Sequence, residues 1–204
     1  MKTLVLPASS AESIDRAARV LRGGGLVAFP TDTVYGLGAL AFNAAAVGRI
    51  YAAKDRPADK AIPVLLSSVV DIDLVAVSVR DKALRLAHRY WPGPLTLVVQ
   101  KSERVPEAVA AATVGIRVPD HAVALVLLGV SGPLAVSSAN LSGNDSPVTA
   151  VEALRQLDGR VEIILDGGRT PGGTPSTVVD CTGDELVILR PGPLTLQELQ
   201  AALA

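Results

Sequence analysis

Aromatic residues make up only 3% of these 204 residues, and there is one cysteine, Cys181, with two histidines, His88 and His121. Packing must therefore rest on Ala, Val, Leu and Ile, since apolar residues still reach 49% of the chain. A lone cysteine closes no internal disulfide, and no cysteine–histidine cluster exists to hold zinc. An excess of charge is missing too: 19 Lys and Arg against 20 Asp and Glu leave a net −1, which excludes a globally basic nucleic-acid coat. Only a local basic patch remains open. Charges interrupt every longer apolar run, and the run in "MKTLVLPASS" is too short for a signal peptide. A soluble, cytoplasmic protein without a membrane contact is expected.

Familiar catalytic motifs are absent as well. The chain has no G-x-x-x-x-G-K-[ST], and "GLGALA" lacks the third glycine of a dinucleotide fingerprint. No G-x-S-x-G elbow occurs. The length suits one domain, taken as residues 1–204.

What is present is a series of short apolar runs that read as buried strands, over 26–29, 62–66, 95–99, 114–118, 134–136, 161–165, 177–179 and 186–189. Ile14, Ala17, Ala18 and Leu21 form one helical stripe, which Ser9 and Glu12 would cap and the glycines at 23–25 would end. Similar caps, Thr149 with Glu152 and Thr195 with Glu198, precede two further helices. Helices are also expected over 44–53 and 81–90, while 69–79 is ambiguous. Alternating strands and helices predict an α/β (α+β) fold whose sheet is buried largely on both faces.

Polar residues gather at the strand ends. "KDRPADK" sets Lys54, Arg56 and Lys60 between a helix and a strand; such cations suit a phosphate or simply a solvated loop. "AVSSANLSGNDSP" runs from a strand into Ser137, Ser138, Asn140, Ser142 and Gly143, as an anion cradle or an ordinary turn would. "TVGIRVPDH" sets Arg117 inside an apolar strand, where it must meet a carboxylate or await an anionic ligand. "GGTPSTVVD" and "ILRPGP" bring Ser176 and Arg190 to a strand entry and a strand exit.

In order, "PTDTVYGLG", "KDRP", "WPGPLT", "VGIRVPDH", "SSANLSG", "STVVD" and "LRPGP" resemble the YrdC-like family of threonylcarbamoyl-AMP synthases. The likeness runs over about residues 26–193, and the chain looks like the family's short form, without an additional C-terminal domain. It implies a twisted, mostly mixed or antiparallel sheet with flanking helices and a concave, positively lined cavity. It also implies a reaction of L-threonine, bicarbonate and ATP to threonylcarbamoyl-AMP and pyrophosphate, for modification of tRNA beside the anticodon. Mg²⁺ would arrive with ATP, held by phosphates and water with no protein side chain as ligand. Transfer proteins acting on tRNA would be the partners, and direct RNA contact stays open.

Carried over by position, the resemblance puts Lys54 and Arg56 on the ATP phosphates as the catalytic pair. It places Thr33, Leu65, Arg117, Val136 and Ser176 around threonine, with Arg117 facing the substrate carboxylate. Lys60, Thr113, Ser138, Asn140, Ser146 and Arg190 fall on the nucleotide side with Arg56. Leu65 departs from relatives that carry a polar residue there. The glycines of "PTDTVYGLG" are expected to let the backbone turn close to the ligand, Asp32 receives no catalytic role, and 167–175 is a candidate lid. Two rivals stand beside this reading: a HypF-like carbamoyl-adenylate-forming domain, and a module that binds double-stranded RNA or the ribosome.

Overall fold

The computed structural model describes residues 2–204. In chain order the elements are β1 (Leu4–Pro7), α1 (Ala11–Arg22), β2 (Val27–Phe29), β3 (Gly36–Leu40), α2 (Ala44–Lys54) and β4 (Val64–Leu65). There follow α3 (Ile72–Val75), α4 (Asp81–Tyr90), β5 (Leu95–Gln100), β6 (Thr113–Arg117), α5 (Ala122–Ser131) and β7 (Leu134–Ser138). The chain closes with α6 (Ala150–Leu157), β8 (Ile163–Asp166), β9 (Thr177–Asp180), β10 (Val187–Arg190) and α7 (Leu196–Ala201). The ambiguous stretch resolves into a short 3₁₀ turn, Val69–Asp71, running into α3.

All ten strands belong to one sheet, ordered β1-β8-β2-β3-β7-β4-β6-β5-β9-β10. It is mixed: β1, β8 and β2 run parallel, as do β4 with β6 and β5 with β9, while the remaining neighbours are antiparallel. Each marked apolar run becomes a strand. Two strands were not foreseen, β1 and β3. The latter falls in "YGLGAL", where Gly36 and Gly38 sit inside a strand rather than in a turn, although Gly36 does line the cavity described below. They are required by neighbours: a Cβ on Gly36 would stand 2.6 Å from a Val136 methyl, and one on Gly38 would stand 2.9 Å from the Phe29 ring.

Side-chain alternation divides the core into two layers. Ala28, Leu37, Ala39, Ala135 and Ile164 join the larger cluster, under α2, α4 and α6. Val27, Phe29, Leu134, Val136, Ile163 and Leu165 point the other way, against Ile14, Ala17, Ala18 and Leu21 of α1 and Ala124, Leu127 and Leu128 of α5. Each fully buried Val, Leu or Ile side chain contributes about 1.5–3 kcal/mol. Ser10, one residue later than expected, caps α1 by accepting from Ser13 N at 3.3 Å. Thr195 and Glu198 do form a reciprocal capping box, whereas Glu152 reaches past Thr149 to Val148 N. Helix α5 carries no side-chain cap and almost no polar residue, so no amphipathic stripe or start signal marked it.

Candidate active site

Helices α1 and α5 pack beside one another over the β8, β2 and β3 side of the sheet. On the same face, strands β4, β6, β5 and β9 are left to line a cavity of about 430 Å³. The pairing explains who faces inward. Leu65 stands beside Arg117, Gly115 beside Val98, and Thr96 beside Val178, and all six line the cavity. Their neighbours Val114, Ile116 and Leu97 point into the larger core. The volume suits a small-molecule ligand.

Of the thirteen residues singled out by sequence, ten meet here. Thr33, Leu65, Arg117, Val136 and Ser176 line one part of the cavity, and Arg56, Thr113, Ser138, Ser146 and Arg190 complete the set. Lys54, Lys60 and Asn140 do not line it. Lys54 is buried, its Nζ donating to the carbonyls of Ser138 and Asn140. Lys60 is exposed, and its carbonyl accepts from Tyr51 Oη at 3.0 Å and Arg56 Nε at 3.2 Å. Asn140 turns its amide nitrogen to Leu141 O and Asn144 O, each at 2.8 Å.

Arg117 is 5% exposed and meets an internal carboxylate, since its Nη2 pairs with Asp32. Its Nε donates to Gly93 O at 2.9 Å and its Nη1 to Thr33 Oγ1 at 3.1 Å. From there a chain of hydroxyls is set by elimination. Thr31 Oγ1 gives its proton to Val34 O at 2.7 Å, so it must accept from Thr33 Oγ1 at 2.9 Å. Guanidinium, Thr33 and Thr31 thus align donor to acceptor, which strengthens each bond. A second cluster faces it: Arg190 Nη2 donates to Ser176 Oγ at 3.0 Å, which lies 2.8 Å from Thr96 Oγ1.

Three guanidinium groups therefore converge on the cavity, and among the described residues only Arg117 has a carboxylate partner there. Burial pushes Arg190 below its ordinary pKa, and Arg117 and Arg56 push it the same way. Burial also lowers Arg56, and lowers Arg117 although Asp32 opposes the shift. Desolvated cations that repel one another are an anion-binding arrangement. The lining residues include eight Ser and Thr but no Asp or Glu. A second, more open hollow of about 580 Å³ shares Thr33, lies against Asp32 and Asp120, and is walled by Pro and Gly of the 92–94, 171–174 and 192–193 turns.

Segment 167–175 is tied down at several points. Tyr35 Oη donates to Gly168 O at 2.7 Å, Thr170 N to Val148 O at 2.9 Å, and Gly173 N to Thr33 O at 2.8 Å. Gly172 lies so close that a Cβ would stand 2.5 Å from Asp32 O. It braces Thr33 and, as it stands, is no free lid. Thr31 and Thr96, and the pairing of Asp32 with Arg117, carry no signal of their own in the sequence. All three lie inside quoted motifs, yet only the fold reveals what they touch.

Residues 19–192 match the Sua5_yciO_yrdC family, described as "Telomere recombination". The chain belongs to the Sua5/YciO/YrdC family. It is 46% identical over 190 residues to a threonylcarbamoyl-AMP synthase of Pyrococcus abyssi, covering 92% of this chain and 56% of that protein. It is 45% identical over 194 residues to the Bacillus subtilis threonylcarbamoyl-AMP synthase, covering 93% and 56%. The crystal structure of P. abyssi Sua5 complexed with L-threonine superposes with a TM-score of 0.95 at 43% identity, over 98% of this chain and 61% of that one. This member of the Sua5/YciO/YrdC family thus spans little more than half the length of those relatives. Its mixed α/β architecture is that of the family. Among the described residues, no helix is long and apolar enough to cross a membrane.

Proposed function

We propose that this chain is a threonylcarbamoyl-AMP synthase, joining L-threonine, bicarbonate and ATP into threonylcarbamoyl-AMP with release of pyrophosphate and water. The observation that carries the reading is the convergence of Arg56, Arg117 and Arg190 on one cavity beside the Thr31–Thr33 and Thr96–Ser176 hydroxyl pairs. The names of the Pyrococcus abyssi and Bacillus subtilis relatives, and the threonine complex of the former's Sua5, support it.

In this reading the amino acid lies against Thr33, Leu65, Arg117, Val136 and Ser176. Arg117 keeps one N–H on each terminal nitrogen beyond those given to Thr33 and Asp32, enough to meet a carboxylate fork. Thr33 Oγ1, whose proton is committed to Thr31, is left as an acceptor. The triphosphate lies toward Arg56 and Arg190, with Ser138, Ser146 and Thr113 beside it. Threonine's amine attacks the carbon of bicarbonate, and water departs to leave a carbamate. A carbamate oxygen then attacks the α-phosphorus, and the bond to the β-phosphate oxygen breaks with pyrophosphate as leaving group. No protein nucleophile is needed. The chain supplies alignment, and fixed positive charge where negative charge builds on the leaving phosphates. Mg²⁺ fits as an ion carried in on the triphosphate, since the lining provides neutral oxygen but no carboxylate cage. The product would pass to proteins that transfer the threonylcarbamoyl group to tRNA.

A concave cavity of about 430 Å³ suits a nucleotide with an amino acid better than the surface of an RNA duplex. The test is mass spectrometry of a reaction containing ¹³C-bicarbonate. A labelled adenylate that also carries threonine is expected; an unlabelled product, or none, contradicts the reading.

A further inference from the structure

Lys54 ends α2 and is 1% exposed, yet it lies outside the cavity lining. Arg56, two positions on and past a left-handed residue at Asp55 (φ 49°), lines the cavity instead. A buried ammonium ordinarily meets a carboxylate, because an unpaired interior charge is costly. Among the described residues Lys54 forms no ion pair. Its Nζ donates to two main-chain carbonyls, Ser138 O and Asn140 O. The loop answers through its own backbone, Ser142 N donating to Lys54 O at 2.8 Å.

The same loop is held by α6: Gln156 Oε1 accepts from Leu141 N at 3.0 Å, and its Nε2 donates to Asp145 O at 3.2 Å. Ser138 opens the loop and Ser146 closes it, and both line the cavity. Lys54 therefore grips, from outside the cavity, the segment that carries two hydroxyls into it.

We propose that Lys54 is a positioning residue, holding the 138–146 loop so that Ser138 and Ser146 meet the nucleotide, and that it does not itself touch the phosphates. The nucleotide part rests on the synthase reading; the clamp is a property of the ligand-free chain. Two carbonyls require two N–H donors, which a neutral amine provides as well as an ammonium does. Burial, and after it the charge of Arg56, lower the Lys54 pKa to about 7, so the position is not built to retain a full charge.

The experiment is backbone amide hydrogen exchange on the ligand-free protein, wild type against Lys54→Met, with separate KM values for ATP and threonine. Exchange at Ser142 should rise by about tenfold or more while β5 and β6 keep their protection. KM for ATP should rise by about tenfold or more, and KM for threonine by less than about threefold. Lys54→Gln, whose amide nitrogen bears two N–H groups, should recover part of both effects and stands in if the Met variant does not fold. Wild-type exchange across 139–144 in either variant, together with lost turnover, would return Lys54 to the phosphates and overturn the proposal. Equal rises in both KM values would overturn it as well, leaving only a general structural role. If wild-type protein makes no threonine-dependent pyrophosphate, the synthase reading fails by itself, and the exchange data still decide the clamp.

Discussion

One face of one sheet does two different things. Over β8, β2 and β3 it presents Val27, Phe29, Ile163 and Leu165, and α1 and α5 lie on top. Over β4, β6, β5 and β9 it presents Thr96, Thr113, Gly115 and Arg117 and lines a cavity. Helix cover stops where the strands exchange aliphatic side chains for hydroxyls and guanidinium groups. Covering the second half would bury cations that already repel one another, and dry burial of unpaired charge is unfavourable. The residues that forbid a helix there are those that favour an anionic ligand. Leu65 and Val136 belong to both halves, since they pack in the aliphatic core and also line the cavity.

If the two halves are separate in purpose, substitutions should separate stability from activity. The largest effect is expected on the covered half: Leu21→Ala, at a fully buried position of α1, should cost about 2–5 kcal/mol of stability. Urea unfolding measures that loss, and KM values for both substrates should stay near wild type; a large KM change would break the division. On the open half Arg56→Ala should do the reverse, removing about 2–4 kcal/mol of transition-state stabilisation with little change in the unfolding midpoint. Steady-state pyrophosphate release gives that figure, and full turnover would remove Arg56 from the site. Thr33→Val keeps the shape but leaves Arg117 Nη1 and Thr31 short of a partner, so threonine binding should weaken by about 1–3 kcal/mol. Titration calorimetry should find ATP much less affected; equal weakening would contradict the placement of Thr33.

The smallest effect concerns Lys54. Its folded pKa, about 7, lies below the ordinary lysine value, so the unfolded chain holds a proton that the folded protein gives up. Stability from this group therefore rises with pH above that point. Between pH 6.5 and 7.5 the gain should be below about 1 kcal/mol. Lys54→Met should lack it, which parallel urea titrations at the two pH values would reveal as unequal slopes.

Local pattern carried much of the architecture. Most strands show themselves as short, mainly apolar runs even where, as in β5 and β6, a Thr, Gly or Arg interrupts them, and α1 declares itself by apolar spacing. Strand β3 was hidden because its glycines serve Phe29 and Val136 across the sheet, a reason that lies in other strands. Helix α5 was hidden because it is apolar nearly all round and lacks a cap. Within the site, short motifs at strand ends identified residues that come together. They could not tell Arg56 from Lys54, two letters apart, because the left-handed turn at Asp55 and the carbonyls of Ser138 and Asn140 decide which cation enters the cavity. Nor could they show that Asp32 pairs with Arg117, since that contact joins segments far apart in the chain.

The most direct measurement is pyrophosphate release by the purified chain, with each of threonine, bicarbonate and ATP withheld in turn. The account predicts release only with all three present alongside Mg²⁺. Release that ignores threonine, or none under any mixture, would contradict it.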